Sequence, residues 1–336
     1  PVWILAALQG WLFLATYLNG RELWGIVINT VSILTVACAI DLFSTKAAFL
    51  IRGIMGNMEW LIYGNLLSVL LTYPQGLYIS DYYQQHCYFL GYHNGFFQYV
   101  LPAVLTAALY SHIEKKKARS ICLAAAGYLC VLITWSATSV AALMLVTVLM
   151  LLPSRKLRRW ITFTSIFGTT MAFNLAISVF RIIDRVPFIP WFIERVLHKS
   201  TTLTGRTYMW DQFIQKFCAR PFLGYGVGEH VLLPFSRLTA GAHNQYFEYL
   251  LEGGIVALAL FLLFNIQIGK ELNRCGDEAV RTICLSVLAG LYIIFIAESY
   301  MNFFVYMLMM LVYHAEEFAS VTAPTTRRLR VVWRRA

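Results

Sequence analysis

Ten apolar stretches, each close to the length of a membrane-crossing helix, follow one another along the chain and leave little room for any other fold. They run over roughly 2–18, 23–43, 48–71, 96–112, 119–134, 137–152, 160–180, 246–268, 280–297 and 301–316. A bilayer core about 30 Å thick takes about 17–25 helical residues to cross, so ten such helices need about 200 apolar positions. The chain has 336 residues, 59% of them apolar, or about 198. Charged residues make up 13%, about half the usual share of a soluble domain. These figures exclude an ordinary soluble domain, a disordered chain and a nucleic-acid-binding module. Barrel strands would give short alternating stretches instead of long apolar ones. The expected fold is all-α: a polytopic membrane protein of about ten transmembrane helices with one long extracytoplasmic loop.

The run from Ile121 to Leu152 has one polar centre, Ser136–Ser139. A single helix over these 32 residues would be about 48 Å long, so two short helices joined by a tight turn are expected. The net charge of +10 is not spread evenly. Lys115, Lys116, Lys117 and Arg119 fill one short loop, and Arg155, Lys156, Arg158 and Arg159 fill another. Arg327, Arg328, Arg330, Arg334 and Arg335 lie in the tail. Ten spans put all three groups on one side, and basic loops mark the cytoplasmic side. Both termini are then cytoplasmic, and the tail can touch anionic headgroups. The expected division is a bundle of about seven spans over 1–180, an extracytoplasmic loop over 181–245, further spans over 246–316 and a basic cytoplasmic tail over 317–336. The first apolar run reads as a retained helix; the chain opens on Pro1, so an earlier span can precede it. Cys38, Cys122, Cys130 and Cys284 read as packing residues within apolar runs, and a bridge between Cys87 and Cys218 has no spacing to support it.

Two segments fall on the opposite, outer side. The first, about 72–95, is rich in tyrosine. The second, 181–245, carries recurring aromatic residues, a predicted helix from Gly205 to Phe217 and a loop over Pro221–Gly228. It also holds eight basic residues, among them Arg181, Arg185, Arg206 and Arg220, against four acids. A cationic surface beside the membrane suits an anionic, lipid-linked substrate, because arginine pairs with phosphate through two parallel hydrogen bonds.

Chemistry-bearing residues concentrate between Gly205 and Gly254. Gly224, Gly226 and Gly228 alternate without the flanking strand and helix of a nucleotide-binding turn,. They read equally as a structural turn or as backbone that approaches a ligand. His243 stands where the outer loop meets an apolar helix, with Asn244 beside it and Glu248 and Glu252 following at helical spacing. His243 can serve as a general base if an acceptor hydroxyl lies within reach; its alternative is a structural interfacial histidine. Glu248 and Glu252 either orient it or line a cavity. Glu59, in the third span, is the buried polar residue hardest to explain by packing. The histidines His86, His93, His198, His230 and His243 follow no metal-ligand spacing.

Taken together, these motifs resemble the superfamily of O-antigen ligases and Wzy-type polysaccharide polymerases. The resemblance rests on GR-x3-W at Gly205–Trp210, P-x2-GYG-x-G at Pro221–Gly228 and HN-x8-GG at His243–Gly254, in that order after a long outer loop. An earlier outer motif of the family is similar to Gly91–Asn94, with His93 in place of the usual proline. A further family turn, T-x-SR-G, is matched by Thr134–Thr138, where Ala137 replaces the arginine. The resemblance implies a GT-C-like, metal-independent membrane glycosyltransferase that needs no cofactor. Its donor would be a glycan on undecaprenyl diphosphate and its acceptor another lipid-linked repeat unit, lipid A-core or a protein hydroxyl. His243 and Arg206 would be catalytic. Arg220, Arg181, Arg185, Asn244, Glu248, His93 and Asn94 would contact substrate. A chain-length regulator and the flippase of the same pathway are candidate partners. Between polymerase and ligase, polymerase is the default, because polymerases often depart from the shared motifs. A transporter of the same lipids is the rival reading, and it would show internal symmetry and short loops throughout.

Overall fold

The computed structural model describes residues 1–80, 85–152, 160–182, 206–232 and 239–321. Every one of the ten apolar stretches is helical. In chain order the membrane helices are α1 (Val2–Leu18), α2 (Trp24–Phe43), α3 (Ala47–Thr72), α4 (Phe97–Glu114), α5 (Lys117–Thr134), α6 (Ala137–Leu151) and α7 (Phe163–Ser178). A further helix α8 (Arg206–Ala219) precedes α9 (Gln245–Arg274), α10 (Glu278–Phe295), α11 (Phe303–Tyr313) and the short α12 (Ala315–Val321). Five stretches, of which Trp24–Thr72 holds both α2 and α3, are long and apolar enough to cross a membrane, and α1, α6 and α11 are shorter apolar helices. The chain is a polytopic, helical membrane protein. The basic loop at 155–159 and the arginines of the tail lie outside the described residues.

The long run 121–152 is two helices. Trp135 takes a left-handed φ of 52° and ends α5. Ser136 turns extended, and its hydroxyl lies 2.9 Å from that of Ser139 in the first turn of α6. Small residues then let helices approach closely. A Cβ on Gly290 of α10 would come within 2.5 Å of Val146 of α6, and one on Gly127 of α5 within 3.0 Å of Val100 of α4. The helical pairs α1–α9, α2–α11, α3–α4, α4–α5 and α6–α10 build the bundle. Large apolar residues such as Trp3, Trp24, Leu42 and Trp60 face outward, as they do where hydrocarbon replaces water.

Four details differ from the sequence reading. The two long connections are not purely helical or irregular. Tyr78–Ser80 (β1), Gln85–Tyr88 (β2) and Gly91–Tyr92 (β3) form an antiparallel sheet in the order β1-β2-β3. Val231–Leu232 (β4) pairs with Thr239–Ala240 (β5). The eighth span runs to Arg274, past 268, because its last turns carry Lys270, Glu271 and Arg274 and extend beyond the apolar part. The tenth span breaks at His314 into α11 and α12. Cys38 and Cys122 are exposed on helix surfaces and do not pack inside, whereas Cys130 and Cys284 are buried; Cys87 and Cys218 are both free thiols.

Polar contacts sort by end of the bundle. At one end Arg52 binds Glu114 at 2.8 Å, His112 meets Asp277 at 3.3 Å and His314 meets Asp41 at 3.2 Å. Glu59 of α3 has a partner after all, a two-pronged bond from Arg119 of α5 at 2.6 and 2.7 Å. The opposite end gathers the connections α1–α2, α3–α4, α7–α9 and α10–α11. Their contacts, given next, keep these connections apart from the first group.

Candidate active site

The start of α9 organises this second end. Asn244 is fully buried and caps the helix, its side-chain oxygen accepting from the N–H groups of Tyr246 and Phe247 at 3.1 and 3.2 Å. A cap of this kind satisfies N–H groups the helix itself leaves free. The amide nitrogen of Asn244 donates to Asn174 Oδ1 of α7 at 2.6 Å and to the carbonyl of Ile296 at 3.3 Å. One side chain thus ties three elements together. His243, just before it, adopts φ 48°, a left-handed conformation uncommon outside glycine. Its imidazole is 35% exposed, and Nδ1 lies 3.0 Å from Glu298 Oε2 in the α10–α11 turn. A carboxylate on Nδ1–H leaves the Nε2 lone pair as the acceptor of a proton.

The same turn reaches the motif at Gly91–Asn94. Tyr300 donates its hydroxyl to the carbonyl of Asn94 at 2.7 Å, and its N–H to Gln245 Oε1 at 2.7 Å. Asn94 in turn donates to the Tyr92 hydroxyl at 3.1 Å, and the His93 ring packs edge-on against Tyr92 at 4.4 Å. Asn302 binds Gln98 of α4. The segments around His93 and His243, separated by some 150 positions in the sequence, therefore meet through Tyr300.

Helix α8 docks on α9 through the tryptophan of the GR-x3-W motif. Trp210 is buried and donates its indole N–H to the carbonyl of Ala242 at 3.1 Å, one residue before His243. Phe213 stacks on Phe247 with centroids 4.2 Å apart. Arg206 opens α8 one turn before Trp210, so its backbone lies on the same helical face. The side chain of Arg206, the whole of Gly205 and Arg185 lie outside the described residues. Arg181, at the end of α7, binds both carboxylate oxygens of Asp211 of α8 at 3.0 and 3.1 Å.

The glycine-rich loop is a built turn against a break in α9. Gly224, Gly226 and Gly228 all have positive φ. Tyr225 and Gly226 donate to the carbonyls of Leu251 and Glu252, both at 2.9 Å, and Ile255 donates back to the carbonyl of Pro221 at 2.8 Å. The helix opens to receive it at Gly254, with φ 66° and ψ −164°, a region essentially confined to glycine. Gly254 of the HN-x8-GG motif thus lets the loop's backbone touch the helix, while Gly253 makes room for Leu12 and Trp11 of α1, which would stand 2.9 and 3.3 Å from an added Cβ. Of the two roles open to this glycine run, the structure shows the first, a turn that closes on α9.

Beside that turn lies a cluster of cations. Arg21, from the short α1–α2 connection, donates to the carbonyls of Tyr225 at 2.6 Å and Gly228 at 3.3 Å. It shares the carboxylate of Glu229 with Lys216. Arg220 binds Asn19 and lies over the Tyr225 ring at 5.0 Å. Two cations therefore share one carboxylate, and a third lies over the neighbouring Tyr225 ring. Although Lys216 is paired, burial and then the charge of Arg21 hold its ammonium below the ordinary lysine range. Burial, then Arg21 and Lys216, push the His230 imidazole down in the same way. Protonation is disfavoured at both groups, first by burial and then by the neighbouring positive charge,.

Two buried carboxylates of α9 complete the frame. Glu248 accepts from the N–H of Ala242 at 2.7 Å and from the Ser299 hydroxyl at 3.3 Å. Glu252 accepts from the N–H of Gly228 at 3.0 Å. Sequence reasoning missed Arg21 and the pairing of Glu298 with His243. The lone arginine of a five-residue connection gave no pattern, and Glu298 follows His243 by 55 positions.

Residues 121–262 match the family model described as O-Antigen ligase. No curated protein matches the chain. The matched stretch runs from α5 through α8 and the glycine turn into the first half of α9, less than half of the chain. This part of the chain is similar to the O-antigen ligase/Wzy-type superfamily, and the match supports the broad class of membrane glycan ligases and polymerases.

Proposed function

We propose that the chain polymerises undecaprenyl-diphosphate-linked repeat units into a surface polysaccharide at the outer face of a bacterial cytoplasmic membrane. The observation that carries this reading is the pairing of His243 with Glu298 on partly exposed, strained backbone, at the end of the bundle that also gathers Arg21, Lys216 and Arg220. With both termini and the basic loops in the cytoplasm, this end faces outward.

In this mechanism Glu298 accepts from Nδ1–H and fixes the tautomer of His243. Nε2 takes the proton of the acceptor hydroxyl, whose oxygen attacks the anomeric carbon of the donor. The new glycosidic bond forms as the bond to the diphosphate breaks, with inversion. Undecaprenyl diphosphate leaves with its growing charge held by arginine and lysine. Arg206 and Arg220, joined by Arg21 and Lys216, form this anion site, and no metal is required of it. Arg181 is held by Asp211 and contributes field more than contact; Arg185 is retained as a further candidate. His93 and Asn94 border the acceptor side. Asn244 sets the backbone from which His243 projects.

The described family favours one second reading, transfer of a finished glycan to lipid A-core or another acceptor. Both readings share the test. His243→Ala and Arg206→Ala, expressed in a strain lacking the chain, are each expected to insert normally and to abolish glycan transfer. Normal product from well-inserted His243→Ala would overturn the catalytic assignment.

A further inference from the structure

We infer that Glu248 is a positioning residue that holds His243 and Glu298 in register, and not a group that touches substrate. The inference rests on the catalytic reading of His243 given above. His243 and Glu298 belong to separate loops, so their 3.0 Å contact needs something that fixes one loop against the other. Glu248 sits one helical turn into α9, 6% exposed. The same atom, Oε2, takes the N–H of Ala242 and the hydroxyl of Ser299. Ala242 immediately precedes His243, and Ser299 immediately follows Glu298. One carboxylate oxygen therefore grips both partners of the pair through their sequence neighbours.

The surrounding sequence agrees. A Cβ on Gly241 would lie 2.9 Å from Glu248 Oε2 and 3.0 Å from Oε1, so the loop reaches the carboxylate only because residue 241 has no side chain. Trp210 takes the other polar group of Ala242, its carbonyl. Both backbone groups of that residue are thereby fixed, and the chain enters His243 in one conformation. Glu252, a turn further along, performs the analogous service for the glycine loop through Gly228. Misplacement of a reacting group by about 1 Å can cost on the order of 100-fold in rate.

The test is a double-variant cycle on transfer, using lipid-linked glycan extracted from the strain lacking the chain. Glu248→Ala is expected to lower kcat about 100-fold with KM unchanged. In a Glu298→Ala background the same substitution is expected to add less than about threefold, because the register it maintains no longer matters. Glu248→Gln, which keeps an acceptor oxygen, restores most of the rate. Should Glu248→Ala fail to accumulate, Glu248→Asp, one methylene short of both donors, replaces it in the cycle. Fully additive losses, an effect on KM alone or wild-type kcat in Glu248→Ala would each overturn the inference. His243→Ala run alongside separates the failures. Activity there sinks the catalytic reading, whereas an inactive His243→Ala beside a normal Glu248→Ala sinks only the positioning role.

Discussion

Gly254→Ala is a direct probe of how the glycine loop and α9 are joined. An added Cβ would stand 2.1 Å from the carbonyl oxygen of Phe222 and 2.7 Å from that of Pro221. Both are backbone atoms, so no side-chain rotation relieves the clash. The backbone at φ 66°, ψ −164° costs a non-glycine residue about 1–3 kcal/mol. Overpacking adds about 1–3 kcal/mol. The two together span about 2–6 kcal/mol; about 3 kcal/mol of it, at about 1.4 kcal/mol per tenfold, predicts local opening about 100-fold more often. Amide hydrogen exchange on the purified protein in micelles reads this directly, since Tyr225 and Gly226 donate their N–H groups to α9. Their exchange should accelerate by about that factor. Gly25→Ala, where an added Cβ meets nothing within 4 Å, should leave it unchanged. Unaltered exchange at Tyr225 and Gly226 in Gly254→Ala would refute the account of the turn as a structure closed on the helix break.

Substitutions at two further positions test the same end of the molecule. Trp210→Ala removes a buried ring and should cost about 3–5 kcal/mol, seen as a lower melting temperature. Trp210→Phe loses chiefly the bond to Ala242 and should cost about 1 kcal/mol. The His230 imidazole is held below its ordinary value of 6.5, so the unfolded chain takes up the proton first. The stability it contributes is complete above that value and falls away as pH drops below it. Exchange across 216–232 should therefore be more protected at about pH 7.5 than at about pH 5.5, after correction for intrinsic rates, and His230→Gln should flatten that difference.

Much of the fold was legible because its signals are local. Span positions follow from apolar length. The break at Trp135–Ser136 follows from the polar centre of an overlong run, and α8 from the pattern ending at Phe217, two residues short of Ala219. The site was legible as a set of motifs but not as a geometry. Asn244 reads in sequence as a polar neighbour of His243; its burial under α7 and Ile296 exists only once the helices pack. Glu59 was an unexplained intramembrane carboxylate until α5 brought Arg119 beside it. Glu248 and Glu252 follow His243 at helical spacing, yet the residue that pairs with the imidazole comes from two helices later. The small sheet over 78–92 was hidden because strands of two to four residues give too short an alternation to read. Arg21 joined the cation cluster through tertiary contact alone, as single charges in short connections do.

The central claim is tested most directly by analysing surface glycans and extracted lipid-linked intermediates from a strain lacking this chain. The account predicts loss of polymer, with single repeat units on undecaprenyl diphosphate accumulating at the outer leaflet. Full-length polymer still bound to lipid would instead assign ligation to an acceptor. Units trapped on the inner leaflet would contradict the enzymatic account and make the chain a transporter.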